Sequence, residues 1–153
     1  MSRRVSDLIP ELQPLATRFI ADCSTAGYEV IIVQTLRTFA EQDALYAQGR
    51  NDQGQVVNWH KVVTHAKGGY SWHNYGRAFD AVPLKPGDPT VAWWDAPQAV
   101  WQQMGQIGEN LGLTWGGRWA EPKTDLEHWE LTDGITIEEA LAQYQQQQEG
   151  EQA

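Results

Sequence analysis

The hydrophobic period of the chain changes at Gly27. Before it, Val5, Leu8, Leu12, Leu15, Ala16, Phe19, Ile20 and Cys23 recur at three- and four-residue spacing. That stripe predicts an amphipathic helix to about Ala26, stopped by Gly27, with Pro14 in or near its first turn. After the glycine, Tyr28 to Thr35 is rich in β-branched residues with four apolar residues at its centre, which predicts a strand buried on both faces. A chain that changes period in this way folds as mixed helix and sheet.

The remainder repeats the alternation. Thr38-Phe-Ala-Glu41 is a capping box, so a short helix runs through Ala47 to a stop at Gly49 and leaves Arg37 just outside its N-terminus. Arg50 to Tyr70 is polar and glycine-containing, a long loop or small hairpin. Arg77 to Val82 reads as a core strand ended by the Pro83 to Pro89 turn cluster, and Ala96 to Leu111 as a helix capped by Gly112. Leu113–Trp115 and Glu127–Leu131 read as strands, and Thr136-Ile-Glu-Glu139 caps a last helix that frays into Gln145–Gln148. The expected organisation is one α+β domain over residues 1–148, with a disordered tail over 149–153.

Composition narrows the function. At 153 residues the chain fits one domain, and 41% hydrophobic content with 8 Trp and 14 Gly marks it as globular and loop-rich. A net charge of -9 with scattered cations offers no surface for phosphate neutralisation, so no nucleic-acid partner is expected. Cys23, the single cysteine, lies on the apolar stripe of the first helix and reads as a buried hydrophobe. No stretch is apolar enough for a membrane span, so no membrane insertion is expected. The basic N-terminus lacks the apolar region of a signal peptide, and a cytoplasmic protein is expected.

Two segments carry chemistry. In Ser71-Trp-His73-Asn-Tyr-Gly76-Arg-Ala-Phe-Asp80, a glycine between histidine and aspartate lets the backbone turn so that both side chains face one point. In Asp125-Leu-Glu-His128-Trp-Glu130, a second histidine follows a carboxylate by three residues. Together His73, Asp80 and His128 offer two imidazoles and a carboxylate, leaving a fourth tetrahedral position open, as a catalytic zinc site requires. The absence of cysteine ligands argues against a structural zinc. An anionic ligand lowers the net charge at the metal, so water activation there calls for a nearby base, for which Asp125 is the candidate.

The pattern Ser71-x-His73-x-x-Gly76-x-Ala78-x-Asp80 followed by Asp125-x-x-His128-Trp129 resembles the M15 family of zinc peptidases. That family includes D-Ala-D-Ala carboxypeptidases and dipeptidases, and the L-alanyl-D-glutamate endopeptidases of phage endolysins. Leu36 to Arg50, Lys67 to Ser71 and Leu113 to Trp119 are similar to the endolysin branch, and the resemblance spans about residues 28–131. It implies a hedgehog/DD-peptidase-like fold, a small mainly antiparallel sheet with flanking helices. It also implies one Zn²⁺ per chain held by His73, Asp80 and His128, with Asp125 as catalytic base. Arg37 then stabilises the oxyanion and contacts substrate, and Ser71 contacts substrate or supports the site.

The substrate so implied is the peptide stem of peptidoglycan, cut at the L-alanyl-D-glutamate bond by a monomer held in the host cytoplasm until its release to the wall. The alternatives are a D-Ala-D-Ala carboxypeptidase or dipeptidase, and a non-catalytic zinc-containing binding module. Around the second cluster, strand alternation aims Glu127 away from the metal and leaves Glu130 as a supporting group. His60 and His65 read as solvated or pocket-edge residues, and most tryptophans as core or loop anchors.

Overall fold

The stripe from Val5 to Cys23 folds in two pieces in the computed structural model, which describes Met1–Gln152. A 3-10 turn at Val5–Asp7 precedes helix α1 (Leu12–Thr25). A continuous helix would hold Pro10 in its interior, where the missing N–H and the ring break the ladder. Pro14 falls in the first turn of α1, where it is tolerated. Leu12, Ala16, Phe19 and Cys23 are the buried face of that helix. Burial also pushes the Cys23 thiol up to about 12, so it behaves as an inert core group.

Strand β1 (Val30–Gln34) follows the turn at Gly27. It is the edge of an antiparallel sheet of order β1-β2-β5-β4, and Ile31 is 38% exposed. Burial on both faces is therefore not realised, because only one face of this edge strand packs on the core. Helix α2 (Phe39–Ala47) begins at the expected capping box, with Glu41 N–H donating to Thr38 Oγ1 at 3.1 Å and Thr38 N–H to Glu41 Oε2 at 2.9 Å.

Strand β2 (Ala78–Lys85) is longer than its sequence suggests and runs through Pro83. It then turns back as β3 (Asp88–Ala92), so the Pro83–Pro89 segment is a hairpin and not a strand-ending turn. Pro83 is accommodated where β2 has passed the end of β5 (His128–Glu130), and its carbonyl accepts from Trp93 N–H at 2.7 Å.

Helix α3 (Gln98–Asn110) packs against the face of the sheet that carries Trp115, at the end of β4 (Thr114–Trp115), and Trp129. Two glycines permit this approach: a Cβ at Gly105 would lie 2.2 Å from the Trp115 ring, and one at Gly108 would lie 2.3 Å from that of Trp129. Phe19 of α1 completes the core, its ring 4.7 Å from Trp129 and 5.4 Å from Phe79. The last helix, α4 (Ile137–Gln152), opens with the Thr136–Glu139 capping box. It continues to Gln152 where fraying and a disordered tail were expected from composition; Ala153 lies outside the described residues.

Candidate metal centre

Strand β2 pairs with β5 so that Asp80 is the register partner of His128, and Phe79 the partner of Trp129. Opposed residues of an antiparallel ladder share a face. Phe79 and Trp129 therefore turn into the core, and Asp80 and His128 turn together to the other side. His73 reaches the same point from a 3-10 turn (Trp72–Tyr75) that Gly76 closes in a left-handed conformation, φ 64°. A Cβ on Gly76 would in addition lie 3.0 Å from the Asp7 carbonyl.

Ligand atoms of His73, Asp80 and His128 all lie within 4.8 Å of one another. Each imidazole has its remaining nitrogen engaged by the protein. His73 Nδ1 donates to the Thr35 carbonyl at 2.7 Å, leaving Nε2 3.1 Å from Asp80 Oδ1. His128 is oriented the other way, with Nε2 donating to Glu130 Oε2 at 2.9 Å and Nδ1 3.3 Å from Asp80 Oδ1. Two imidazoles whose outer N–H groups are held by acceptors, and whose inner nitrogens converge on a carboxylate, form a group that could hold a metal ion, with supporting partners in place.

The electrostatics point the same way. Burial alone would lower the pKa of His128, but its hydrogen bonds to the Asp80 and Glu130 carboxylates outweigh it and push the imidazole up to about 10. Burial would raise Asp80, but the His128 and His73 hydrogen bonds hold it well below the usual carboxylate range. The pocket is built to hold positive charge, as a proton or as a metal cation.

Asp125 enters through a tight turn, with His128 N–H donating to the Asp125 carbonyl at 3.4 Å and Asp125 N–H donating to Gly116 at 3.0 Å. Burial pushes its carboxyl up to about 7 against the opposing pull of His128, with Glu127 and Asp80 adding to the rise. Arg37 lines the same cleft, its Nη1 donating to Gln42 Oε1 at 2.7 Å. Burial lowers its pKa while Asp80, Asp125 and Glu41 oppose the drop. Its Nε is buried with no hydrogen-bond partner among the described residues. Ser71, Arg37, Asp125 and the three candidate ligands all line one cleft of about 800 Å³, so the structure brings together every residue expected as ligand, base or substrate contact.

A family model described as D-alanyl-D-alanine carboxypeptidase, an M15 peptidase model, matches residues 64–131. The peptidoglycan L-alanyl-D-glutamate endopeptidase CwlK of Bacillus subtilis (strain 168) is 37% identical over 132 residues, covering 82% of this chain and 74% of that protein. The chain belongs to the M15 peptidase family. Solved structures agree in fold. The L-Ala D-Glu endopeptidase ChiX of Serratia marcescens superposes with a TM-score of 0.55 at 21% identity, over 84% of this chain and 83% of that one. The Zn(II) complex of the D,D-pentapeptidase VanY superposes with a TM-score of 0.57 at 16% identity, over 90% and 78%.

Around this M15 centre, three residues have roles that sequence reasoning missed or misplaced. Glu127 was expected to point away from the metal, but it sits in the turn before β5, where alternation does not apply. It lines the same cleft, and its charge helps to raise the pKa of Asp125. Gln42 carries no sequence signal beyond its polarity inside a helix, yet it is wholly buried. It accepts from Arg37 and donates to the Ala66 carbonyl at 2.8 Å, joining the arginine to the loop that walls the cleft. Thr35 acts through its carbonyl, which no sequence pattern marks. His65 lines the cleft, as a pocket-edge residue would, while His60 is exposed and outside it.

Proposed function

We propose that this chain is a zinc-dependent peptidoglycan endopeptidase that hydrolyses the L-alanyl-D-glutamate bond of the peptide stem. The observation that carries the chemistry is the convergence of His73, Asp80 and His128 beside Asp125 and Arg37 in one cleft. The choice of bond follows CwlK, which bears that activity in its name and aligns across most of both chains. Two nitrogens, one carboxylate oxygen and no thiolate suit zinc with a position left open, and the supporting acceptors on Thr35 and Glu130 fix both imidazoles for it.

Bound zinc supplies Lewis acidity to the scissile carbonyl and to the attacking water. Asp125 takes the proton from that water and returns it to the leaving amine, a task suited to a carboxyl raised toward neutrality. Arg37, held by Gln42, stabilises the negative charge that develops on the carbonyl oxygen. Ser71, on the rim of the cleft, contacts the stem. The reaction is direct hydrolysis with no covalent intermediate, and the reading extends to lysis of a host cell by loss of wall cross-links.

Mass spectrometry of fragments released from purified peptidoglycan tests this reading, with zinc and with a chelator. Zinc-dependent stem fragments with a new D-glutamate N-terminus are expected. Loss of a terminal D-alanine alone would instead assign the carboxypeptidase activity that describes the family model, and intact sacculi would reject both.

A further inference from the structure

Among the described residues, nine large hydrophobic side chains are exposed, and five of them, Val56, Val57, Trp59, Val63 and Tyr70, belong to the single loop between α2 and the His73 turn. Trp59 is 72% exposed and Val57 68%. This loop is not slack. Val57 and Asn58 N–H both donate to the Gly49 carbonyl at 2.9 and 3.0 Å, and Arg50 bridges to Val56. Gly68 N–H donates to Asp43 Oδ1 at 2.8 Å, and the Arg50 guanidinium stacks 3.8 Å over the Tyr46 ring. A braced backbone therefore holds apolar groups out into water, the signature of a surface that is covered in use.

The same loop is one wall of the cleft, contributing Val62, Val63, Thr64, His65 and Tyr70; two members of this apolar ridge, Val63 and Tyr70, thus line the cleft, and Trp59 stands three residues before Val62 in the chain. It also departs from the charge of the rest of the molecule. Arg50, Lys61 and Lys67 face only Asp52 in this stretch of a chain whose net charge is -9.

We propose that this ridge seats the glycan strand from which the stem hangs, with the Trp59 ring under one sugar face and Val57 against N-acetyl methyl groups. The proposal rests on the endopeptidase reading above. An L-alanyl-D-glutamate bond is separated from the muramyl sugar by one alanine and a lactyl group. At most ~3.6 Å per residue of extended chain puts the sugar within roughly 10 Å of the bond being cut. The sugar must therefore lie on the rim of the cleft. A pyranose ring offers an apolar C–H face with a polar edge, which suits an exposed indole flanked by methyl groups, and the loop's cations suit the carboxylates of the stem.

The zinc-loaded protein is assayed on two soluble substrates: an N-acetylated stem peptide without sugar, and the same stem on a disaccharide. The wild type is expected to favour the disaccharide substrate. Trp59→Ala is expected to raise KM on it about tenfold, as loss of an aromatic anchor does, and to leave the free peptide unchanged. Trp59→Phe, which keeps an aromatic face, restores most of the preference, and Val57→Ser lowers it to a smaller extent. Equal kinetics of wild type and Trp59→Ala on the disaccharide substrate would overturn the proposal, as would equal losses on both substrates. Cosedimentation with phosphatidylglycerol vesicles that Trp59→Ala abolishes, with no glycan preference in the wild type, would reassign the ridge to a membrane. If the wild type cuts neither substrate, the endopeptidase reading fails and this inference fails with it; cleavage of both without preference removes this inference alone.

Discussion

Asp80 and His128 are register partners across the β2–β5 ladder, and their side chains meet at 3.3 Å on the face opposite the core pair Phe79 and Trp129. Backbone pairing thus sets the position of two of the three candidate ligands, and a slip of one residue would put them on opposite faces of the sheet. Asp80→Ala is expected to lower zinc affinity by two or more orders of magnitude and abolish hydrolysis, since it removes the anionic ligand and the partner of both imidazoles. Chelator competition reads the affinity, and an unchanged far-UV spectrum shows that the sheet persists.

Glu130 acts one step further out, accepting from His128 Nε2 at 2.9 Å. Glu130→Gln keeps the shape and loses the charge, so metal affinity or kcat should drop by about 10- to 100-fold, the usual effect of removing a group that orients a ligand. Equal metal affinity and equal kcat in the variant would show that the ring needs no such support.

The raised pKa of His128, about 10, makes zinc binding compete with a proton. In the metal-free protein this imidazolium contributes stability that is complete below its ordinary pKa and is lost as pH rises through about 10. Asp80 behaves oppositely: its contribution is present above the ordinary carboxylate pKa and is lost as pH falls. Chelated protein should therefore melt at progressively lower temperature between about pH 7 and 10. Over the same range the apparent zinc affinity should climb about tenfold per pH unit. Calorimetry in buffers of different ionisation heat should detect the released proton.

Asp125 gives a second, separable pH effect. Its carboxyl, pushed up to about 7 by burial and then by Glu127 and Asp80, must be ionised to act as the proposed base. The acid limb of kcat/KM should accordingly lie above the ordinary carboxylate range and at or below about 7, since a bound cation favours the ionised form. Glu127→Gln removes a like charge and should move that limb to lower pH without loss of metal, whereas an unmoved limb would dissociate Glu127 from the base.

The parts of this architecture that were legible in the sequence are those with local causes. Capping boxes at Thr38 and Thr136 announce their helices because the bonded groups lie three residues apart. The candidate metal ligands announce themselves by residue type and spacing, and the structure gathers them within 4.8 Å of one another. What escaped depends on neighbours distant in sequence. Ile31 looks like a core residue, and only its place on an edge strand exposes it. Pro83 looks like a strand breaker until β5 is seen to end before it. Glu127 obeys the turn and not the strand, and Gln42 has a role only because Arg37 and Ala66 converge on it.

That convergence supports the last prediction. Gln42 is wholly buried, and its amide oxygen accepts from Arg37 Nη1 while its amide nitrogen donates to the Ala66 carbonyl. Gln42→Leu fills a similar space but frees the guanidinium and leaves the Ala66 carbonyl unpaired, at a cost of about 1–3 kcal/mol in stability. If Arg37 works on the developing oxyanion, kcat should fall by 10- to 1,000-fold, up to the range for loss of a single oxyanion donor, while zinc stoichiometry is retained. Gln42→Glu separates the two functions: it keeps an acceptor for Arg37 and loses the donor to Ala66. It should recover kcat more fully than it recovers stability. A variant pair in which kcat and melting temperature move together would make Gln42 a packing residue with no hold on the arginine.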